Sequence, residues 1–280
     1  MTTGSIRMVV LDLDETTLDA SGDIPELTKE VFRKLDEMGL VIVFATGRPW
    51  RRVWHLAQGL PIHAAVCSNG VKIVCPRQEV FLRHLVHEPH VHRVVVQYGR
   101  DQGLSLIATS YLPGNPRSKI VHREAPLCNR GVEVTRRFLL PDPIEVDDLL
   151  TLSPPSRILF FDEYERMEGH AREIRRRLGD QTGEIPIPFF VSGIGEVLPR
   201  GATKAHAILK IASELDIAPA QMIACGDSNN DQEMLELAGI PVVSRHPHTT
   251  REHILALAKL TFEWDDGRGL PRFLTQYFSL

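Results

Sequence analysis

The 280-residue chain is short of the features that mark several broad protein classes. No stretch nears 18 consecutive apolar residues, and the opening MTTGSIR has no apolar segment after its arginine. Neither a membrane-spanning helix nor a secretory leader is expected, and a cytoplasmic protein is. Cysteine is scarce: Cys67, Cys75, Cys128 and Cys225 show no C-x-x-C and no Cys/His spacing suited to zinc. Buried free thiols are expected, which fits a reducing compartment. Charge of one sign is missing as well. With 32 basic and 36 acidic side chains, the net charge of −4 is too mild for a nucleic-acid or membrane-surface partner. If the substrate is an anion, cations have to be gathered locally. There is no GxxxxGK[ST] or GxSxG, and Gly193-x-Gly195 lacks the third glycine of a dinucleotide fingerprint. Internal repeats and low-complexity tracts are absent too.

What is present reads as a soluble globular chain, 43% hydrophobic and 24% charged, with room for one large α/β domain or two smaller ones. Short apolar runs alternate with amphipathic helical patterns. Strands are expected at Met8–Leu13, Leu40–Ala45, Ala64–Ser68, Met222–Cys225 and Ile240–Val243. Helices are expected at Ile24–Met38, with Leu27, Val31, Leu35 and Met38 as its stripe, and at Trp50–Gly59, Ala202–Leu215 and Gln232–Ala238. Such alternation implies a parallel sheet covered on both faces. From about Val86 to Pro188 the texture changes. Helices near His90–Gly99 and Arg166–Leu178 lie among strand-like stretches at Leu104–Tyr111, Val132–Leu140 and Arg157–Asp162, punctuated by Pro113, Gly114, Pro116, Pro141, Pro143, Pro154 and Pro155. The expected organisation is a core from 1–85 and 189–280, with an α+β domain inserted at 86–188.

Four core strands end in distinctive polar text: Asp12-x-Asp14, Ala45-Thr46-Gly47-Arg48, Ser68-Asn69-Gly70 and Gly226-Asp227-Ser228-x-Asn230-Asp231. In an open parallel sheet, ligands bind outside the carboxyl ends of the strands, so these groups are expected to meet. Asp12, Asp14, Asp227 and Asp231 at one edge would repel each other, and a divalent ion resolves that. All-oxygen ligands favour Mg²⁺, which keeps waters and recruits phosphate oxygens. Thr46 offers a hydroxyl, Gly47 lets backbone come close, and Lys204 adds a point charge at a helix N-terminus.

As a set these motifs resemble the haloacid dehalogenase superfamily, and in particular its Cof-type sugar phosphatases. The matched text is Asp12-Leu-Asp14-Glu-Thr16, Ala45-Thr46-Gly47-Arg48-Pro49, Asn69-Gly70, Gly201-Ala-Thr-Lys204 and Gly226-Asp227-Ser228-Asn-Asn230-Asp231. The resemblance implies a Rossmann-like core with a C2-type cap, and a Mg²⁺-dependent phosphatase acting on a small phosphorylated metabolite. Under it Asp12 is the nucleophile and Asp14 the general acid and base. Thr46, Gly47, Lys204 and Asn230 hold the phosphate. Mg²⁺ lies between Asp12, the Asp14 backbone carbonyl and Asp227, with Asp231 supporting. Cap closure is implied to exclude water and supply specificity. Asp19 is expected to be solvated, and Arg48 and Asn69 either orient the phosphate or cap or serve the structure.

Glu15 stands where this branch commonly has Gly, and Thr17 where it has Leu. Ile240-Pro-Val-Val-Ser-Arg-His replaces the usual Gly-x-Ala-Met-Gly-Asn-Ala, and with Trp264-Asp-Asp-Gly-Arg-Gly-Leu it resembles the mannosyl-3-phosphoglycerate phosphatases. That group typically lacks the Ala-Thr-Gly-Arg-Pro found here. A phosphoryl transferase or mutase, and a binding module without turnover, are the competing readings. His84, His87, His90 and His92 are expected at the surface rather than on a metal. The arginines at 172 and 175–177, with Glu168 and Glu173, are expected to form a solvated helix face.

Overall fold

Met8–Leu11 forms β1 with all of its residues buried, and its side chains divide between two cores. Val9 and Leu11 pack with Val31, Phe32, Leu35, Leu270 and Leu274, whereas Met8 and Val10 pack with Ala207, Ile208, Ile211 and Met234. A strand apolar on both faces needs cover on both, and helices supply it. The computed structural model describes residues 6–78, 80–111, 120–124, 143–179, 189–190, 193–247 and 250–280. These form two compact units, one running to Arg83 and resuming at Thr203–Leu280, the other His84–Ala202.

In the first unit the further strands are β2 (Val41–Ala45), β3 (Ala64–Cys67), β4 (Lys72–Cys75) and β5 (Val80–His84), and later β12 (Met222–Gly226), β13 (Ile240–Arg245) and β14 (Leu260–Glu263). Their order is β14-β13-β12-β1-β2-β3-β4-β5. From β14 to β3 every pairing is parallel, and β4 turns back antiparallel on β3. The chain runs outward from β1 to one side and from β12 to the other, so the topological switch point lies between these neighbours. That crevice is where an open sheet of this kind binds ligands. The covering helices are α1 (Glu26–Glu37), α2 (Trp54–Ala57), and, after those of the other unit, α5 (Lys204–Glu214), α6 (Gln232–Leu237), α7 (Glu252–Leu255) and α8 (Gly269–Phe278).

Two local expectations shift. In α1 the buried residues are Thr28, Val31, Phe32 and Leu35, while Leu27 and Met38 are about half exposed. The stripe is centred on Val31–Phe32, which leaves the two outer apolar residues at its margins. The helix expected at Trp50–Gly59 begins as a 3₁₀ turn, Trp50–Arg52, with Trp50 buried, and only then becomes α2.

The second unit holds β6 (Ser105–Ser110), β7 (Ile120–Arg123), β8 (Ile144–Glu145), β9 (Arg157–Phe161), β10 (Phe189–Phe190) and β11 (Ile194–Val197), with α3 (Pro89–Asp101) and α4 (Tyr164–Leu178). The sheet order is β10-β11-β9-β6-β7-β8. Val91, Val95 and Val96 of α3 and Met167, Ala171 and Ile174 of α4 cover the face carrying Ala108, Ile158 and Phe160. This unit is an α+β layer. The core was expected to resume at 189 and resumes instead at Thr203, because β10 and β11 pair antiparallel and β11 continues onto β9. The strand expected at Val132–Leu140 and Cys128 lie outside the described residues.

Cys67 and Cys225 are buried thiols, and burial pushes Cys67 up to about 12; Cys75 is partly exposed. The arginine-rich face of α4 is solvated and laced by Arg172–Glu168, Arg176–Glu173 and Arg177–Glu173 pairs. The histidines depart from their expected surface position. His92 is buried on the inner face of α3, and His87, ahead of that helix, is buried with its amide donating to the Pro155 carbonyl at 2.9 Å. His87 Nε2 lies 3.0 Å from the Val197 carbonyl, and burial takes its pKa down from 6.5 to about 4. As pH falls from the unfolded value toward the folded one, the unfolded chain binds the proton first and stability is lost. His87→Gln is expected to remove a loss on the order of 3 kcal/mol between about pH 6.5 and 4, read from urea midpoints against pH.

Candidate active site

The register Leu11↔Cys225 places the ends of β1 and β12 side by side, and the Asp12 amide donates to the Cys225 carbonyl at 2.9 Å. Asp12 and Asp227 therefore leave adjacent strands at the switch point. Asp231 follows one turn later and folds back: its Oδ2 accepts the Asp227 and Ser228 amides, each at 3.1 Å, and the Ser228 hydroxyl at 3.2 Å. The Thr16 hydroxyl donates to Asp227 Oδ1 at 3.3 Å. Among the described residues, Asp12, Asp227 and Asp231 are the group able to share a metal ion, with one oxygen from each lying within 4.8 Å of the others.

Into this anionic pocket α5 sends Lys204, its first residue. Thr203 caps the helix by accepting the His206 amide. Lys204 Nζ lies 2.7 Å from Asp12 Oδ1 and 2.6 Å from Asp231 Oδ1, and all three side chains are buried. Burial by itself would lower the lysine pKa, but the Asp12 and Asp231 charges and their hydrogen bonds outweigh it and hold the ammonium above its ordinary value. Asp12 moves the opposite way for a carboxylate. Burial first, then repulsion from Asp231, Asp227 and Asp14, raises it well above the usual range despite Lys204. Gly70 lets the helix start approach: at φ +95° a Cβ there would lie 2.2 Å from the Thr203 carbonyl oxygen.

Thr46 follows β2, fully buried, and its hydroxyl accepts the Arg48 amide at 3.0 Å. A Cβ on Gly47 would sit 3.2 Å from Asn69 Oδ1 and 3.7 Å from Asn230 Nδ2, so these three positions are neighbours. Asn230 donates to Asn69 Oδ1 at 3.3 Å, while the buried Asn69 Nδ2 and Ser68 hydroxyl have no partner among the described residues. Unpaired buried donors are costly unless a ligand meets them.

Asp14 is placed differently from the other acids. Its carboxylate is exposed and gripped by the Arg48 guanidinium, with Nε 3.0 Å from Oδ2 and Nη2 on Oδ1. Its side chain is not among the three that could share an ion, and the resemblance implies its backbone carbonyl as the ligand instead. Arg48, left between two roles on sequence, holds Asp14 here. The reason is geometric: the two residues follow adjacent strands, and a fork matches a carboxylate. Asp19 is not simply solvated either. It accepts the Ser21 amide and hydroxyl and the Asp23 amide, and the Ser21 hydroxyl bond leads in holding its carboxyl below the ordinary value. No histidine joins the metal-capable group among the described residues.

An aspartate at the switch point, a lysine bridging two acids and a hydroxyl on the next strand suit transfer of a phosphoryl group. The family model for haloacid dehalogenase-like hydrolases matches residues 9–262. Over 98% of each chain, the sequence is 27% identical to the 5-amino-6-(5-phospho-D-ribitylamino)uracil phosphatase of Bacillus subtilis. It is 26% identical to the HMP-PP phosphatase of Cronobacter sakazakii, across 83% of this chain and 82% of that one. The fold matches a phosphatase of the haloalkanoate superfamily from Bacteroides thetaiotaomicron with TM-score 0.78 at 20% identity, covering 98% and 96% of the two chains. A subclass IIB sugar phosphatase matches with TM-score 0.77 at 19% identity over 98% and 99%. The chain belongs to the haloacid dehalogenase-like hydrolases, and within them to the Cof-type phosphatases.

If Arg48 serves to hold Asp14, its loss is felt in turnover. Arg48→Ala is expected to lower kcat/KM about tenfold or more, and Arg48→Lys to recover only part, because an ammonium cannot replace the fork. Steady-state phosphate release from the three proteins checks this.

Proposed function

We propose that this phosphatase hydrolyses a phosphate monoester of a small metabolite through phosphorylation of Asp12. The observation that carries the reading is the Lys204 ammonium lodged between Asp12 and Asp231 beside Asp227. Three buried carboxylates face one buried lysine there, leaving an excess of negative charge that a divalent cation would offset. The donors are all oxygen, which fits Mg²⁺. Asp12 and Asp227 would hold the ion, with the Asp14 backbone carbonyl. Asp231, its Oδ2 already accepting three donors, would support it from behind. When bound, Mg²⁺ supplies positive charge against which an anionic substrate can approach an anionic nucleophile.

The chain's own groups would do the rest. An Asp12 carboxylate oxygen attacks phosphorus as the bond to the leaving oxygen breaks, and Asp14 gives that oxygen its proton. Asp14 then takes a proton from the water that attacks the phosphoryl group, and the bond from Asp12 to phosphorus breaks to release inorganic phosphate. The Thr46 hydroxyl, the Asn69 amide and Lys204 would hold the equatorial oxygens, with Gly47 giving backbone access and Asn230 positioning Asn69. Arg48 keeps Asp14 beside this centre.

A panel of sugar phosphates, phosphoglycerate conjugates, HMP-PP, nucleotides and 5-amino-6-(5-phospho-D-ribitylamino)uracil, assayed for free phosphate with Mg²⁺ or EDTA, tests the reading. Release from at least one compound, abolished by EDTA, is expected. An isomerised sugar phosphate without free phosphate would point to a mutase, and no reaction by folded protein would sink the proposal. The charge excess gives a second check. Asp12→Asn is expected to abolish turnover and to raise the melting temperature of the cation-free protein by about 2 °C or more, since a repelled charge is removed. Saturating Mg²⁺ is expected to stabilise the unsubstituted protein, by about 2.7 kcal/mol at a hundredfold excess over Kd, and the variant far less.

A further inference from the structure

The backbone after Asp14 is held from outside its own loop. Residues 13–18 make a tight turn in which the Thr17 and Leu18 amides both donate to the Leu13 carbonyl, at 2.9 Å each. That turn leaves the Glu15 and Leu18 carbonyls and the Ala20 amide to find other partners. All three find them in the last 40 residues of the chain. The buried Ser244 hydroxyl, on β13, donates to the Glu15 carbonyl at 2.8 Å. Trp264 Nε1 donates to the Leu18 carbonyl at 2.9 Å. Asp266 Oδ1 accepts the Ala20 amide at 2.8 Å.

Both sides of this contact adopt conformations that need a reason. Glu15 has φ +56°, a left-handed conformation for a residue with a side chain. Opposite it, Asp265, Asp266 and Gly267 are left-handed in succession, at φ +43°, +51° and +74°. The run shapes the turn between β14 and α8, where the Arg268 amide donates to the Asp265 carbonyl at 3.0 Å and the Gly269 amide to the Trp264 carbonyl at 3.1 Å. The run is what brings Asp266 and Gly267 against the loop: a Cβ on Gly267 would lie 3.0 Å from the Asp19 nitrogen. His246 completes the contact, edge-on to the Trp264 ring at 4.9 Å and with Nδ1 3.8 Å from Glu15 Oε2. The segments 240–246 and 264–270, which set this chain apart from the common Cof pattern, thus meet the loop that carries Glu15, another point of departure.

We propose that Ser244, Trp264 and Asp266 are positioning residues for the acid/base step, acting on the backbone next to Asp14 while Arg48 holds its carboxylate. The proposal rests on the acid/base role of Asp14 given above. A proton delivered to a leaving oxygen requires the donor within hydrogen-bond reach, and a loop free to shift by an ångström loses that reach.

The test uses two substrates that differ in their need for the proton. An alkyl phosphate leaves as a strongly basic alkoxide unless protonated, whereas p-nitrophenyl phosphate leaves as a stable phenolate. Trp264→Phe keeps the ring and removes the donor; Asp266→Ala removes the acceptor and Asp266→Asn keeps one. Leu274→Val, in the buried face of α8, controls for lost stability. Trp264→Phe and Asp266→Ala are expected to lower kcat/KM, which reports the first step, where Asp14 acts as the acid, about tenfold on the alkyl phosphate and less than about twofold on p-nitrophenyl phosphate. Asp266→Asn is expected to stay near wild type, and Leu274→Val to affect both substrates alike. Equal losses on the two substrates, or an Asp266→Asn as impaired as Asp266→Ala, would overturn the positioning role while leaving the phosphatase reading intact. Absence of release by the unsubstituted protein from either substrate would overturn both.

Discussion

One buried ammonium organises the site. Lys204 touches Asp12 at 2.7 Å and Asp231 at 2.6 Å, and without it those carboxylates would be packed against each other in a medium that solvates neither. The neighbourhood is built around that contact. Thr203 caps the helix, Gly70 clears room for its first turn, and the parallel pair β1–β12 delivers Asp12 and Asp227 side by side. One lysine does not neutralise three acids, and burial, then the residual repulsion, raises Asp12. A surplus of this kind is costly for stability, and under the proposed function it would serve the chemistry by favouring a hard dication.

Around that centre the polar groups are arranged by depth. Asp12, Thr46, Lys204, Asp227 and Asp231 are buried, while Asp14 is exposed on its arginine. A nucleophile gains from fixed, dry surroundings, whereas a group that passes protons to a leaving alcohol and then takes them from water needs access to both. Asp14 is held by Arg48 through its side chain and by the C-terminal segments through its neighbouring backbone. Asp14 thus sits on a loop tied down from two directions.

Much of this was legible in the residues. Apolar runs bounded by glycine and polar text marked β1, β2, β3, β12 and β13, because strands buried on both faces tolerate little else. Asp12, Thr46 and Asp227 could be grouped in advance because strand ends converge whenever the sheet is parallel, and Lys204 because it opens a helix. Other features were not legible. Leu27 and Met38 fit the helical period as well as Thr28 and Phe32 do, and only the packing against β2 and α8 chose among them. Phe189–Phe190 and Ile194–Val197 fall in the stretch expected as core, yet β10 pairs with β11 and β11 with β9, pairings with no local signal. Arg48 gave no sign of its choice, since a guanidinium can serve a phosphate or a carboxylate equally well.

The sequence by itself determined which elements form and which chemistry is possible, because periodicity, burial preference and the oxygen ligands of five short motifs are properties of nearby residues. The tertiary structure alone decided who holds whom: that Lys204 bridges Asp12 and Asp231, that Asp14 rests on Arg48, and that residues 244–266 tie down the loop at 15–20. Those contacts join positions up to 246 apart in the chain. Only a completed sheet, with its register and hand of connection set, brings such distant groups within hydrogen-bond reach.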